Sequence, residues 1–319
     1  LLHHHLRQWR SRVLPRKPRP GFHPGIYAER MMAPGQQQDP LLHWLQQGQP
    51  AGPWQLEVIS PQEMEPQPAP SRTPATPTAT TAVGLHLHVH YPELLPPLLR
   101  ALRHNQLRPK LVVTLTDTSQ EQAVGQLLER GGWELLALRC LPNRGRDLGP
   151  FLSEAGPLLE QHCQIYGHLH TKATPAAQRP VVERWRRFLL DQLLGTAKRP
   201  MADAIVQRMA ADPSIGLVFP DDPACIGWDG NRAEAERLAT RLQLEPLPEQ
   251  IRVPVGSMFW VRRGALARLY ELGWSEQAYP PEPLPHDGSV LHAIERLLPL
   301  VVEQAGYRCA VCHQPGLSR

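Results

Sequence analysis

The stretch "YGHLHTKAT" sets His168, His170 and Lys172 on alternate positions behind an apolar lead-in. Successive side chains of a strand point to opposite faces, so these three basic groups share one face. His-x-His on a strand is a common metal-ligand pair. Imidazolium and ammonium groups in a row also suit phosphate, and a polar face on a half-exposed sheet is the plainest alternative. No Asp or Glu lies within the stretch, and no third ligand follows at a recognisable spacing, which favours phosphate over metal. His86, His88 and His90 repeat the alternation in "VGLHLHVHY".

A second group is "PNRGRD". Pro142 ends an apolar run and Gly145 permits a tight or left-handed turn. Asn143, Arg144, Arg146 and Asp147 surround it. Asp147 is placed to cap a helix starting near Leu148. Helix N-terminal amides and two guanidinium groups together make an anion pocket suited to a diphosphate. The alternative is a charged surface turn. In "LPHDGSVLHAIERLL", His286 and Asp287 follow a Pro-rich loop and open a helix, with Glu295 and Arg296 two turns on. Asp287 caps that helix, and the same position can aim a carboxylate into a cleft as a general base. In "VPVGSMFWVRR", Gly256 and Ser257 allow close backbone approach to a sugar. Phe259 and Trp260 can stack on one, although core is the better expectation for each aromatic. "CAVCH" fits the short haem-attachment pattern, but it ends a strand and nothing else supports haem or zinc there.

These residues need elements to hold them. Strands are predicted at 83–91, 110–117, 133–141, 165–172, 215–220, 256–263 and 307–312. Helices are predicted at 94–105, 119–130, after 148 with a break at Gly156-Pro157, and at 180–195, 199–212 and 287–304. Strands alternating with helical crossovers imply an α/β fold, a mainly parallel sheet with helices on both faces. Ligands then bind outside the carboxyl ends of the strands, where His90, Asp117, the 143–147 turn and His170–Lys172 fall. Residues 61–82 hold six prolines and little that is apolar, and read as a linker. It separates a small helical segment, 1–60, from the α/β domain at 83–315. In the first of these, Asp39 caps a short helix that starts at Pro40 and carries Leu41, Leu42, Trp44 and Leu45 on its apolar face.

Hydrophobic residues make up 41% of the 319, enough for a large core, and the net charge of +4 contains no long basic run, so nucleic acid is not an expected partner. Five scattered cysteines fit a reducing compartment. No apolar stretch is long enough to span a bilayer. The opening "LLHHHLRQWRSRVLPRKPRP" lacks an initiator Met and reads as truncated. It reads as a solvated tail whose Arg/Lys cluster suits an anionic membrane surface.

"LPNRGRDLGPFL", "YGHLHTK", "GLVFP", "VGSMFWVRRGAL" and "HDGSVLHAIERLLP", in order over about 83–312, resemble the rhamnan synthesis protein F family of bacterial surface-polysaccharide assembly. "FHPGIYAERM…DPLLHWLQQGQPAGPW" resembles a short segment attached to many bacterial glycosyltransferases, with Trp44 where a Tyr usually follows His43. The resemblance implies a GT-A-like glycosyltransferase that takes a sugar, such as rhamnose, from a nucleotide-diphosphate donor to a glycan or lipid-linked glycan acceptor. It implies a cytoplasmic site of action, at the inner face of the plasma membrane. GT-A enzymes often end the fourth strand with Asp-x-Asp holding a divalent metal. Here His168-Leu-His170 stands in that place, so basic groups are expected to meet the diphosphate directly, without a cofactor. Asp287 resembles the acceptor-side base, and Asn143 to Asp147 a loop over the donor. Donor binding is thus expected of Asn143, Arg144, Gly145, Arg146, Asp147, His168, His170 and Lys172. Sugar or acceptor binding is expected of Gly256, Ser257, Trp260 and His286. The alternatives are a metal-dependent hydrolase using His86, His88, His168 and His170, and a non-catalytic carbohydrate-binding protein.

Overall fold

The computed structural model describes residues 16–61, 81–171, 179–285 and 287–316. Short runs rich in Val, Leu and Ile become strands: β2 (Val83–Val89), β3 (Lys110–Leu115), β4 (Leu135–Cys140), β5 (Ile165–His170), β8 (Ile215–Pro220), β9 (Phe259–Arg262) and β10 (Arg308–Cys312). With β1 (Glu57–Ile59) they form one sheet in the order β1-β10-β8-β9-β5-β2-β3-β4. Every pairing is parallel except the two made by β9, which runs against both β5 and β8. Two-residue strands β6 (Gly195–Thr196) and β7 (Arg199–Pro200) make a separate hairpin. All residues of β2, β5 and β8 are buried. Helices therefore cover both faces at the sheet centre, as parallel strands require.

The expected α/β architecture is present, with three local differences. Helical backbone runs unbroken from 148 to 162, with a π-helical turn at Phe151–Ala155, so Gly156-Pro157 does not interrupt it. Pro157 follows directly on that π-helical turn, where the backbone ladder is already out of its ordinary register. Gly156 is there for space, since a Cβ would sit 2.6 Å from the Tyr270 hydroxyl. A helix the sequence reading lacked, Arg232–Leu242, packs against Val290–Gln304. Finally, Glu57–Ile59 ahead of the Pro-rich run pairs with β10 and adds the edge strand. Glu57 and Asp212 there share the guanidinium groups of Arg208 and Arg308.

The segment before β1 has its own apolar cluster of Phe22, Ile26, Tyr27, Trp44 and Trp54. Asp39 caps Pro40–Gln46 by accepting from Leu42 N at 3.0 Å, as expected. Asp221, just after β8, ties this segment down by accepting from Lys17 Nζ at 2.6 Å and Gly21 N at 2.8 Å.

Trp260 lies on β9 between β5 and β8, is fully buried, and donates its indole N–H to Leu193 O at 3.2 Å. It offers no face to a sugar, which corrects the stacking role expected of it. Cys309 and Cys312 are likewise buried in β10 as free thiols. Trp260→Ala removes a large side chain from the centre of the sheet and is expected to cost about 3–5 kcal/mol. Urea unfolding measures this; a loss below about 1 kcal/mol would mean that the site collapses around the deletion.

Candidate functional site

From β2 the chain moves outward through β3 and β4, then returns to lay β5 on the other side of β2. The order therefore reverses between β2 and β5. In open α/β sheets the crevice at the carboxyl ends of the strands flanking such a reversal is where ligands bind. Thr171 joins those two ends, because its hydroxyl accepts from His90 N at 3.0 Å and from Tyr91 N at 2.9 Å.

Just below that crevice the β2–β5 register places His86 opposite His168 and His88 opposite His170. All four imidazoles are buried. His86 Nδ1 meets His168 Nδ1 at 2.8 Å. His86 Nε2 and His88 Nδ1 meet the Thr114 hydroxyl at 2.8 and 2.9 Å. His168 Nε2 lies 3.4 Å from Asp147 Oδ2, and His170 Nε2 lies 3.7 Å from the same oxygen and 2.8 Å from Gly256 O. The network is satisfied when Asp147 and Gly256 O accept from His168 and His170, His168 Nδ1 accepts from His86, and His86 Nε2 accepts from Thr114. Phe151 and Phe259 close around His168.

Burial sets the charges. It pushes His86 and His168 below the ordinary imidazole range, and His88 down to about 3, so these three are neutral. Burial alone would raise the Asp147 carboxyl. Attraction to His170 and the hydrogen bond from His168 outweigh it and hold Asp147 well below the usual carboxylate range. The expectation of an open basic row is thereby corrected for His168. Its ring is a neutral internal donor around one carboxylate, with no access to a diphosphate, while His170 stands at the upper edge of the network. Asp147 does not cap the helix behind it; its side chain makes no cap bond and faces the histidines. The metal-ligand role considered for the four histidines is replaced by hydrogen bonding. Among the described residues no group of three or more His, Cys, Asp or Glu has the arrangement of a metal site.

The 143–147 turn hangs over this network. Gly145 has φ 79° and Arg146 φ 50°, two left-handed residues in succession. A Cβ at Gly145 would lie 2.7 Å from Gly149 Cα and 2.8 Å from the Tyr279 ring, so only glycine fits. The turn reaches across to the 279–292 segment. Arg144 Nε donates to Tyr279 O at 2.8 Å, and Arg146 lies 3.7 Å from Glu282 and 3.4 Å from His292 Nε2.

Asp287 belongs to that same segment. Ser289, with His292, caps Val290–Gln304, so Asp287 is not the cap. Its carboxylate instead clasps the 229–231 turn, accepting from Asn231 Nδ2 at 2.5 Å and Gly230 N at 2.9 Å. Asn231 Oδ1 accepts in return from Gly288 N at 2.8 Å. Arg296 lies 3.9 Å from Asp287. Burial opposes ionisation, but the Asn231 bond, the backbone donors and Arg296 together lower the Asp287 pKa. A second clasp joins Glu295 to the 255–257 turn, where Gly256 and Ser257 both have positive φ and Ser257 N donates to Glu295 at 3.0 Å. Arg296 also touches Glu295 and Asp229. A continuous polar chain therefore runs from His86 through Asp147, His170, Gly256, Ser257, Glu295 and Arg296 to Asp287.

The structure thus brings together Arg144, Gly145, Arg146, Asp147, His168, His170, Gly256, Ser257 and Asp287. Asn143 lies in the same turn and is exposed. Lys172 and His286 lie outside the described residues. Sequence reasoning missed Thr114 and Asn231 and left Glu295 without a role. Thr114 carried one signal, its place in the "VVTLT" alternation one strand from the histidines; Asn231 carried none. Nearby, at the carboxyl ends of β2 and β3, a cavity of about 280 Å³ is lined by Val89, His90, Pro92, Glu93, Leu115, Asp117 and Gln120.

The rhamnan synthesis protein F family model matches residues 61–307. The chain belongs to that family. Two proteins of Xanthomonas campestris pv. campestris, from strains B100 and ATCC 33913, are each described as "Uncharacterized protein WxcX" and are 32% identical to it over 209 residues. The match takes in 65% of this chain and 29% of each relative, so the chain spans well under half the length of those proteins. The family match covers β2 to β9 and with them all the site residues above. The family's description ties it to synthesis of rhamnan, a polysaccharide. Among the described residues no helix is long and apolar enough to cross a membrane.

Two outcomes are expected from these contacts. In the unfolded chain His86, His88 and His168 protonate near pH 6.5, whereas in the folded protein they do not, His88 holding out until about pH 3. The unfolded state thus binds more protons below pH 6.5. Stability is full above that value and falls as the pH drops below it, for His88 by about 1.4 kcal/mol per pH unit down to about pH 3. His88→Gln, which removes one titrating group, should flatten the slope in urea denaturation from pH 7 to 5; an unchanged slope would mean that His88 is solvated. Asn231→Ala removes a buried amide that donates to Asp287 and accepts from Gly288 N, and the loss of these two hydrogen bonds should cost about 2 kcal/mol by the same measurement.

Proposed function

We propose that the chain is a glycosyltransferase that moves a sugar from a nucleotide-diphosphate donor to a glycan acceptor during polysaccharide synthesis. One observation carries this reading. Arg144 and Arg146, on a glycine turn at the carboxyl end of the sheet, reach the segment that holds the ionised Asp287. Cations for a leaving diphosphate and a carboxylate for an acceptor hydroxyl are thus carried on two segments that touch. Membership of a polysaccharide-synthesis family supports the substrate class.

In the reaction an acceptor oxygen attacks the anomeric carbon of the donor. The new carbon–oxygen bond forms as the bond to the diphosphate oxygen breaks, and the acceptor proton passes to Asp287. The lowered pKa of Asp287 keeps it ionised at neutral pH. It is a weak base toward a resting hydroxyl but an adequate one as the attacking oxygen becomes acidic in the transition state. Charge building on the departing diphosphate is offset by Arg144 and Arg146, with His170 and Asn143 at the margin, an electrostatic task that usually dominates such catalysis. Asp147 and the histidines beneath position this turn. The cavity at the ends of β2 and β3 suits the nucleoside. Val89, Leu115 and Pro92 give it an apolar floor, and Asp117, Glu93 and Gln120 supply polar groups for base and ribose. The donor sugar is rhamnose in this reading, and the arginines meet the diphosphate without a bridging metal.

Asp287→Asn removes the proton acceptor while keeping an oxygen for Gly230 N. Turnover of a nucleotide-rhamnose donor should fall at least about 100-fold, the usual scale of general-base catalysis, with the donor's thermal shift nearly unchanged. A nucleotide sugar that binds only the folded state must raise its melting temperature, and a chelator should leave that rise intact. Full activity in Asp287→Asn, or no shift with any nucleotide sugar, would overturn the assignment.

A further inference from the structure

We propose that a second groove, away from the arginine turn, holds the neutral, hydroxyl-rich chain of a glycan acceptor. This inference rests on the transferase reading and adds a subsite to it. The groove is about 480 Å³ and lies where helix Pro24–Met31 and the residues after it meet the loops following β8 and helix Arg232–Leu242. Met32 and Pro34 supply apolar carbon to its wall, and Gln36, Gln38 and Gln250 supply amides.

The lining chemistry selects the ligand. No Lys or Arg lines the groove, so a phosphate or a uronic-acid chain finds no counter-charge. Its carboxylates are already engaged. Glu29 accepts from the backbone N–H groups of Glu249 and Gln250 at 3.1 and 3.2 Å, and Glu249 pairs with Arg232. What remains is amide. Gln36 Nε2 donates to Gln38 Oε1 at 3.0 Å, Gln38 Nε2 donates to Gln46 Oε1 at 2.6 Å, and Gln36 Oε1 accepts from Ala33 N. Each amide holds two N–H groups and two lone pairs, so Gln36 and Gln38 keep an unused donor and an unused acceptor apiece, pre-oriented by the ladder. Paired donors and acceptors beside apolar carbon match a sugar ring, whose vicinal hydroxyls both give and accept while its C–H face is apolar.

The groove is also joined to the reacting end. Cys225 lines it on the loop that follows β8, and the same loop runs on to the Asp229–Asn231 turn that clasps Asp287. A chain lying along this loop can present its terminal hydroxyl toward Asp287 while earlier residues rest on the amides.

The test is saturation-transfer NMR on the full chain with three probes: a rhamnose trisaccharide, a hyaluronan tetrasaccharide and a capped tetra-alanine peptide. The trisaccharide is expected to bind and the other two not. Gln36→Ala with Gln38→Ala should weaken it about tenfold, the loss of two neutral hydrogen bonds. Ala33→Trp, which fills the exposed wall, should block it as well. Absence of trisaccharide binding, binding indifferent to both groove variants, or preference for the hyaluronan or the peptide would overturn the proposal. Donor turnover without trisaccharide binding would sink the groove alone. Groove binding without turnover of any nucleotide sugar would sink the transferase reading alone.

Discussion

The parallel pairing of β2 with β5 fixes everything at the carboxyl edge. It sets His86 against His168 and His88 against His170, and a slip of β5 by one residue would turn His168 and His170 to the face opposite His86 and His88. With the register as it stands, four polar rings are committed to the interior, where an unpaired ring nitrogen is costly. Thr114 from β3 and Asp147 from the turn after β4 supply the missing partners. Three strands and one turn are thereby locked by one hydrogen-bonded network. The histidines act as the foundation on which the arginine turn stands, and the exposed cations sit one layer above.

Electrostatics follows from that layering. Burial makes three of the rings neutral, and the Asp147 carboxylate beside them is ionised. Donors hold it, and the backbone above it twists through two left-handed residues to bring Arg144 and Arg146 out toward the 279–292 segment. On that side a second carboxylate, Asp287, is held by Asn231, Gly230 and Arg296. A carboxylate is thus held by donors on each side of the contact between the arginine turn and the 279–292 segment, so these charges are fixed by the fold.

Strand alternation and turn residues made much of this readable in advance. "IGLVFP" is β8 to the residue, and "VGLHLHVHY" and "IYGHLHTK" contain β2 and β5. Gly145 was legible as a left-handed turn, and Asp39 as a cap. The reading failed where a local role competed with a distant partner. Asp147 and Asp287 each stand at a helix start, where a carboxylate usually caps; both are drawn away, one by histidines on β5, the other by Asn231 more than fifty residues earlier. Trp260 could stack or pack, and its neighbours on β5 and β8 decide for packing. The edge strand Glu57–Ile59 is too short to carry a periodic signal, and only its pairing with β10 makes it a strand.

The sequence by itself determined the alternation of strands and helices, the parallel character of the sheet, and which residue types gather at strand ends, because backbone propensity and side-chain period act over a few residues. The tertiary structure alone decided which of those residues meet, which are buried and which are charged. Strand order and register bring His86 to His168 across 82 positions, and the dielectric of the place where they meet sets their protonation. Neither the separation nor the surroundings of a side chain is a local property, so neither could be read from the residues next to it.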